Sequence, residues 1–87
     1  MPDTFHIDLM TTNATILSAE ATAAVLPAAD GQIGVLSRRA DMLVVLGQGR
    51  LRLELSDGPR LYDLAGGVAH MHDNRLAIVA ERCTPGK

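Results

Sequence analysis

Apolar and polar residues alternate along several short segments, and no other feature of this chain narrows its fold so far. In "TFHIDLM" (residues 4–10), Phe5, Ile7 and Leu9 point one way and His6 and Asp8 the other. "RLRLEL" (50–55) sets Leu51, Leu53 and Leu55 against Arg50, Arg52 and Glu54, and "RLAIVAE" (75–81) repeats the scheme with Leu76, Ile78 and Ala80. A period of two places alternate side chains on opposite faces of an extended strand, so these segments are half-buried strands.

The residues between them are hairpin residues. "SDGP" (56–59) carries an Asp-Gly turn, "HDNR" (72–75) an Asp-Asn turn, and "GQG" (47–49) separates "MLVVL" from "RLRLEL". Such signals about every eight to twelve residues indicate a sandwich or barrel. "SAEATAAVL" (18–26) has helical propensity. It also reads as a strand with Ile16, Ser18, Glu20, Thr22, Ala24 and Leu26 on one face, and the β punctuation around it favours that reading. Gly66-Gly67 interrupts a strand pattern, which implies a bulge or a close backbone approach where the chain passes between sheets. The expectation is an all-β, two-layer sandwich of short, mostly antiparallel strands forming one domain over residues 1–83, with 84–87 a frayed tail.

Composition removes several function classes. Seven arginines and one lysine face ten carboxylates, so no basic excess is available for nucleic acid. Phe5 and Tyr62 are the only residues of the Phe, Tyr and Trp class, which argues against stacking platforms and a deep small-molecule pocket. Cys83 is the single cysteine, which suits a reducing compartment. Neither a secretory signal nor an apolar run long enough to span a membrane is evident, so the chain reads as cytosolic with no direct membrane insertion.

Candidate chemistry is sparse. "DGQIGVL" (30–36) has two glycines but no Gly-Lys-Ser/Thr ending and no following helical run, so it is a turn rather than a phosphate loop. Asp30-Gly31 makes the turn, Gly34 permits close sheet-to-sheet approach, and Arg38, Arg39 and Asp41 occupy the next corner. From the residues alone that corner reads as a solvated loop. His70-x-His72-Asp73 could share a strand face as zinc ligands, with His6 or Cys83 as a third donor, although surface histidines are the commoner explanation. Ser37 and Ser56 lie in no nucleophile motif. No catalytic residue, cofactor or metal is therefore expected.

The order of motifs resembles the N-terminal β-sandwich of the epsilon subunit of F-type ATP synthases, called delta in mitochondria. The resemblance runs over roughly residues 4–82. It is carried by "LPAADGQIGVL", matching that family's Gly-x-x-Gly-(Val/Ile)-Leu step, and by "AGGVAHMHDNRLAIVAE", matching its Gly-Gly, strand, turn and final strand. It implies a non-catalytic rotor component of the central stalk, docked on the gamma subunit and the c-ring at the cytoplasmic face of the bacterial inner membrane.

The resemblance also turns the corner from a solvated loop into a contact. Asp30, Gly31, Gln32, Arg38, Arg39, Asp41 and Met42 become the implied partner interface, and Gly34, Gly66 and Gly67 structural positions. Arginine suits such a rim, because its planar fork holds carboxylates or carbonyls in fixed orientation. The main attraction should come from an apolar patch, for which outward-facing Met10, Met42 and Met71 are candidates, although core filling is the commoner role for methionine. The chain departs from the family at Ser37-Arg38-Arg39-Ala40-Asp41, where Pro-Gly-His is usual. It also stops at Lys87, before the Ala-rich helix pair found in most members, so coupling without the inhibitory action of those helices is expected. The alternatives are a free-standing β-sandwich adaptor and a histidine-based metal enzyme.

Overall fold

The alternating segments become strands throughout. A computed structural model describes residues 3–86 as β1 (Phe5–Thr11), β2 (Thr15–Ala28), β3 (Gly31–Leu36), β4 (Met42–Val45), β5 (Gln48–Leu55), β6 (Gly58–His72) and β7 (Arg75–Pro85). Each strand pairs antiparallel with its neighbours except β1 with β7, which run parallel. Ladders β1–β7, β7–β6, β6–β5, β5–β2 and β2–β1 close a ring, flattened into two layers, with β3 and β4 added as edge strands on β2 and β6.

The two long strands belong to both layers. β2 pairs with β1 through its first half and with β3 and β5 through its second. Along one edge β6 pairs with β5 up to Ala65, then with β4 from Val68. Gly66 and Gly67 stand at that changeover, with φ of 71° and 118°. The β6–β7 register runs past them unshifted, from Tyr62↔Pro85 to His72↔Arg75, so the glycines mark a close approach and no bulge in that ladder.

A bulge does occur elsewhere. Between Ala21 and Ala23, β2 advances two residues while β5 advances one. An extra residue reverses which face alternate side chains occupy. Ser18, Glu20 and Thr22 are accordingly exposed while Ala24 and Leu26 are buried, so the continuous face expected from Ile16 to Leu26 does not exist. The segment is nonetheless a strand throughout, because its alanines pack into the core and its backbone is paired along its length.

Side chains from every strand meet in one core. Phe5, Ile7 and Leu9, Leu51 and Leu53, and Leu76, Ile78 and Ala80 all point inward, as their alternation requires. No polar or charged residue is buried among the described residues. β7 runs on to Pro85, and the Gly86 N–H donates to Leu61 O at 2.8 Å. Residues 84–86, expected to fray, are thus tied to β6, and Lys87 lies outside the described residues.

Candidate partner-binding surface

Six-residue β3 separates the residues singled out from sequence into two groups. Asp30, Gly31 and Gln32 lie at the β2–β3 hairpin, whose loop is Ala29-Asp30, one residue earlier than expected. Arg38, Arg39 and Asp41 lie at the opposite end, roughly 20 Å away along the strand. β4 returns between the two ends, and its Val45 carbonyl accepts a hydrogen bond from the Ala29 N–H at 2.9 Å.

The corner from Ser37 to Asp41 is held by a side chain that sequence reasoning treated only as a turn residue. Asn74, at φ 61° in the β6–β7 hairpin, accepts from the Arg38 N–H at 2.7 Å and donates to Thr4 O at 2.8 Å. The His72 ring bonds Asp41 at 2.7 Å, raising the histidine pKa and lowering that of the carboxyl. Arg39 reaches back to Gly34 O at 3.3 Å, while Arg38 extends into solvent. Asn74→Gly keeps the backbone conformation and deletes only the side-chain bonds. The expected loss is about 1–2 kcal/mol. Faster amide exchange at Arg38 would verify it.

Core filling, the commoner role for methionine, holds for Met71 and Met42, and the apolar patch lies elsewhere. Met71 is fully buried and Met42, its register partner, turns toward the core; Met10 is half-buried. The exposed aliphatics are Leu43 (70%), Val45 (62%) and Val68 (43%) on β4 and β6, together with Leu36 on β3 and Ile16 on β2. "MLVVL" has no internal alternation, so it could not say which residues face out. A usable signal lay in "VAHMH": polar His70 and His72 share a face with Val68, which leaves Ala69 and Met71 inward.

Register extends this face across one layer. Val45, Val68, Val79 and Met10 form an apolar row, and Leu43, His70, Ala77 and Asp8 the next. A third row, His72, Arg75, His6 and Glu20, is charged or titratable. Gly34, expected to allow close packing of sheets, has open space where a Cβ would stand, because it faces outward on edge strand β3.

On β1 and β2 the third row meets a cluster that sequence reasoning missed. His6 Nδ1 lies 2.7 Å from Glu20, its Nε2 lies 3.1 Å from both Asp8 and Ser18, and Ser18 Oγ donates to Asp8 at 2.7 Å. The signal was two outward i, i+2 pairs, His6-x-Asp8 and Ser18-x-Glu20. Glu20, and then Asp8, raise the His6 pKa above 6.5; Ser18, and then His6, lower that of Asp8 below 3.8.

The two groups stabilise the fold in different pH windows. The His6 contribution is complete below pH 6.5 and is lost as pH rises through the folded-state value. The Asp8 contribution is present above 3.8 and is lost as pH falls through its depressed value. Thermal unfolding should therefore show the wild type losing more stability than His6→Gln between about pH 6 and 8.5. Equal losses would remove the His6 contribution.

The stacked His70 and His72 rings lie 5.8 Å apart, but among the described residues no three His, Cys, Asp or Glu side chains converge as metal ligands. Cys83 pairs in register with Leu64, six residues along β7 from the partner of His70, too far to join them. Burial raises its thiol pKa.

The family profile described as the ATP synthase delta/epsilon chain β-sandwich domain matches residues 4–86. The ATP synthase epsilon chain of Rhodopirellula baltica is 38% identical over 77 residues, covering 88% of this chain and 60% of the relative. That of a Ruegeria species is 31% identical over 85 residues, covering 98% and 62%. This chain thus spans about three-fifths of the length of these curated relatives. Among solved structures, the Euglena gracilis mitochondrial ATP synthase OSCP/F1/c-ring assembly contains a chain of similar fold. Its TM-score is 0.89 at 25% identity, covering 98% of this chain and 55% of that one. These matches disfavour an unrelated adaptor. From the first strand to the last, the chain belongs to the ATP synthase delta/epsilon β-sandwich family.

Proposed function

We propose that this chain works as a non-catalytic rotor element of an ATP synthase, docking on the gamma subunit and the c-ring and helping couple ion-driven rotation to ATP synthesis. It would sit at the cytoplasmic face of the bacterial inner membrane, held through the complex. The observation that carries the reading is the exposed strip of Leu43, Val45 and Val68, adjacent in register on β4 and β6. Contiguous exposed aliphatics are a signature of a surface that is covered in use. A closed sandwich offers them on a rigid support suited to transmitting torque.

We assign the strip to gamma, and the turns at its two ends to rim contacts with gamma and the c-ring loops. Asp30, Gly31 and Gln32 would serve one end; Arg38, Arg39 and Asp41 the other, with Met42 packing beneath. Exposed ionic contacts contribute about 0–1 kcal/mol each, so the apolar strip should dominate affinity. The double variant Leu43→Glu, Val45→Glu should weaken capture of a purified gamma–c-ring complex by roughly 30-fold or more. Arg38→Ala with Arg39→Ala, at a typical value of about 0.5 kcal/mol each, should cost only about fivefold. Undiminished capture by a correctly folded Leu43/Val45 variant would refute the assignment.

A further inference from the structure

All three histidines of the chain, His6, His70 and His72, lie on the face that carries the apolar strip. We propose that docking of this face on its gamma-type partner is proton-linked, being tighter when His6 and His72 carry protons and weaker as pH rises through the neutral range. The inference rests on reading this face as the gamma-docking surface.

The reason lies in what covering the strip does to its neighbours. Three carboxylates border it: Asp41 from the corner, Asp8 from β1 and Glu20 from β2. β7 contributes one permanent cation, Arg75, in register with both His72 and His6. β4 contributes no titratable group; Asp73, in the turn beyond His72, adds a further negative charge beside that ring. The corner arginines are directed elsewhere, Arg38 to Asp3 at 3.6 Å and Arg39 to Gly34 O at 3.3 Å. A partner with an apolar surface takes water from the carboxylates at the border and cannot replace it, so unpaired charge there opposes docking.

Histidine protonation supplies the missing cations. His6 lies between Glu20 and Asp8, at 2.7 and 3.1 Å, and His72 lies 2.7 Å from Asp41. With both rings charged, the three border carboxylates are balanced by two imidazoliums and Arg75. With both neutral, two carboxylates lack a counter-charge. His70 stands in register with Leu43 and Ala77, within the apolar part of the face. His6 and His72 already titrate above the usual histidine value because of these carboxylates. Desolvating the pairs strengthens that bias, and linkage then requires proton uptake on binding.

The test is calorimetric titration of the chain with the gamma subunit of the same organism, from about pH 6 to 8.5, in two buffers of different ionisation heat. Affinity should fall roughly tenfold over that range, with net proton uptake near neutrality. The variant His6→Gln, His72→Gln should flatten the profile to within about twofold. Circular dichroism confirms its fold, and His72→Gln alone, changed at an exposed site, should remove part of the slope.

A wild-type affinity that is constant with pH overturns the proton linkage and leaves the docking reading intact. An unchanged slope in the double variant also overturns it, by assigning the protons to the partner. Failure of the folded wild-type chain to bind gamma at any pH overturns the docking reading and this inference with it.

Discussion

Replacing Gly67 by alanine is expected to lower the thermal unfolding midpoint by roughly 15 °C or more, a loss of about 3 kcal/mol or above. Gly67 has φ 118°, where a side chain is strained whatever space surrounds it. There is also no space. A Cβ would collide with Val79 O and stand 2.8 Å from the Ala80 Cα, both backbone atoms of the paired strand β7. Neither can move without opening the β6–β7 ladder where β6 exchanges β5 for β4.

Two other glycines serve as controls in the same melting experiment. At Gly66 the obstacle is the flexible Glu81 carboxylate, so the clash costs less, although φ 71° still penalises a side chain. At Gly34 a Cβ meets nothing and φ is ordinary, so Gly34→Ala should be neutral or add about 0.5 kcal/mol. Equal effects at Gly34 and Gly67 would disprove the account of the changeover.

Phe5→Ala should have a comparable or larger effect, about 3–5 kcal/mol. Phe5 is fully buried and is the one ring among core residues that are otherwise Leu, Ile, Val, Met and Ala. It lies on β1, which joins β2 to β7 and helps close the ring of strands. Its short aliphatic neighbours cannot extend to fill the cavity. A chain of this size has roughly 4–13 kcal/mol of total stability, so the variant should be marginal near 37 °C. Phe5→Leu retains most of the volume and should cost nearer 1 kcal/mol. Urea titration of both variants separates the cavity effect from loss of the strand, because an unchanged slope with a lowered midpoint indicates that the fold persists.

How legible the molecule was depended on whether the determining contacts are local. The strands of Phe5–Leu9, Leu51–Leu55 and Leu76–Ala80 were readable because a side chain's face follows from its parity. The Asp73-Asn74 turn was readable because both residues accept positive φ, here 53° and 61°. The β2 segment resisted because the register step between Ala21 and Ala23 arises from pairing with β5, thirty residues away, and reverses its parity midway. At the candidate surface, Arg38, Arg39 and Asp41 were recognisable as an exposed corner. Asn74 and His72 as its anchors were not, since each reaches across more than thirty residues. The exposed strip was missed because an unbroken apolar run carries no parity.

The amino-acid order by itself therefore determined an all-β chain, its hairpins, most of its core and its family. Those follow from period, turn chemistry and motif spacing, all properties of neighbouring residues. Tertiary structure alone decided that the ladder closes into a ring, that Gly67 must lack a side chain, and that Leu43, Val45 and all three histidines share one face. Those depend on which distant strand lies alongside and in which register, and register is set only when the two layers pack around their common core.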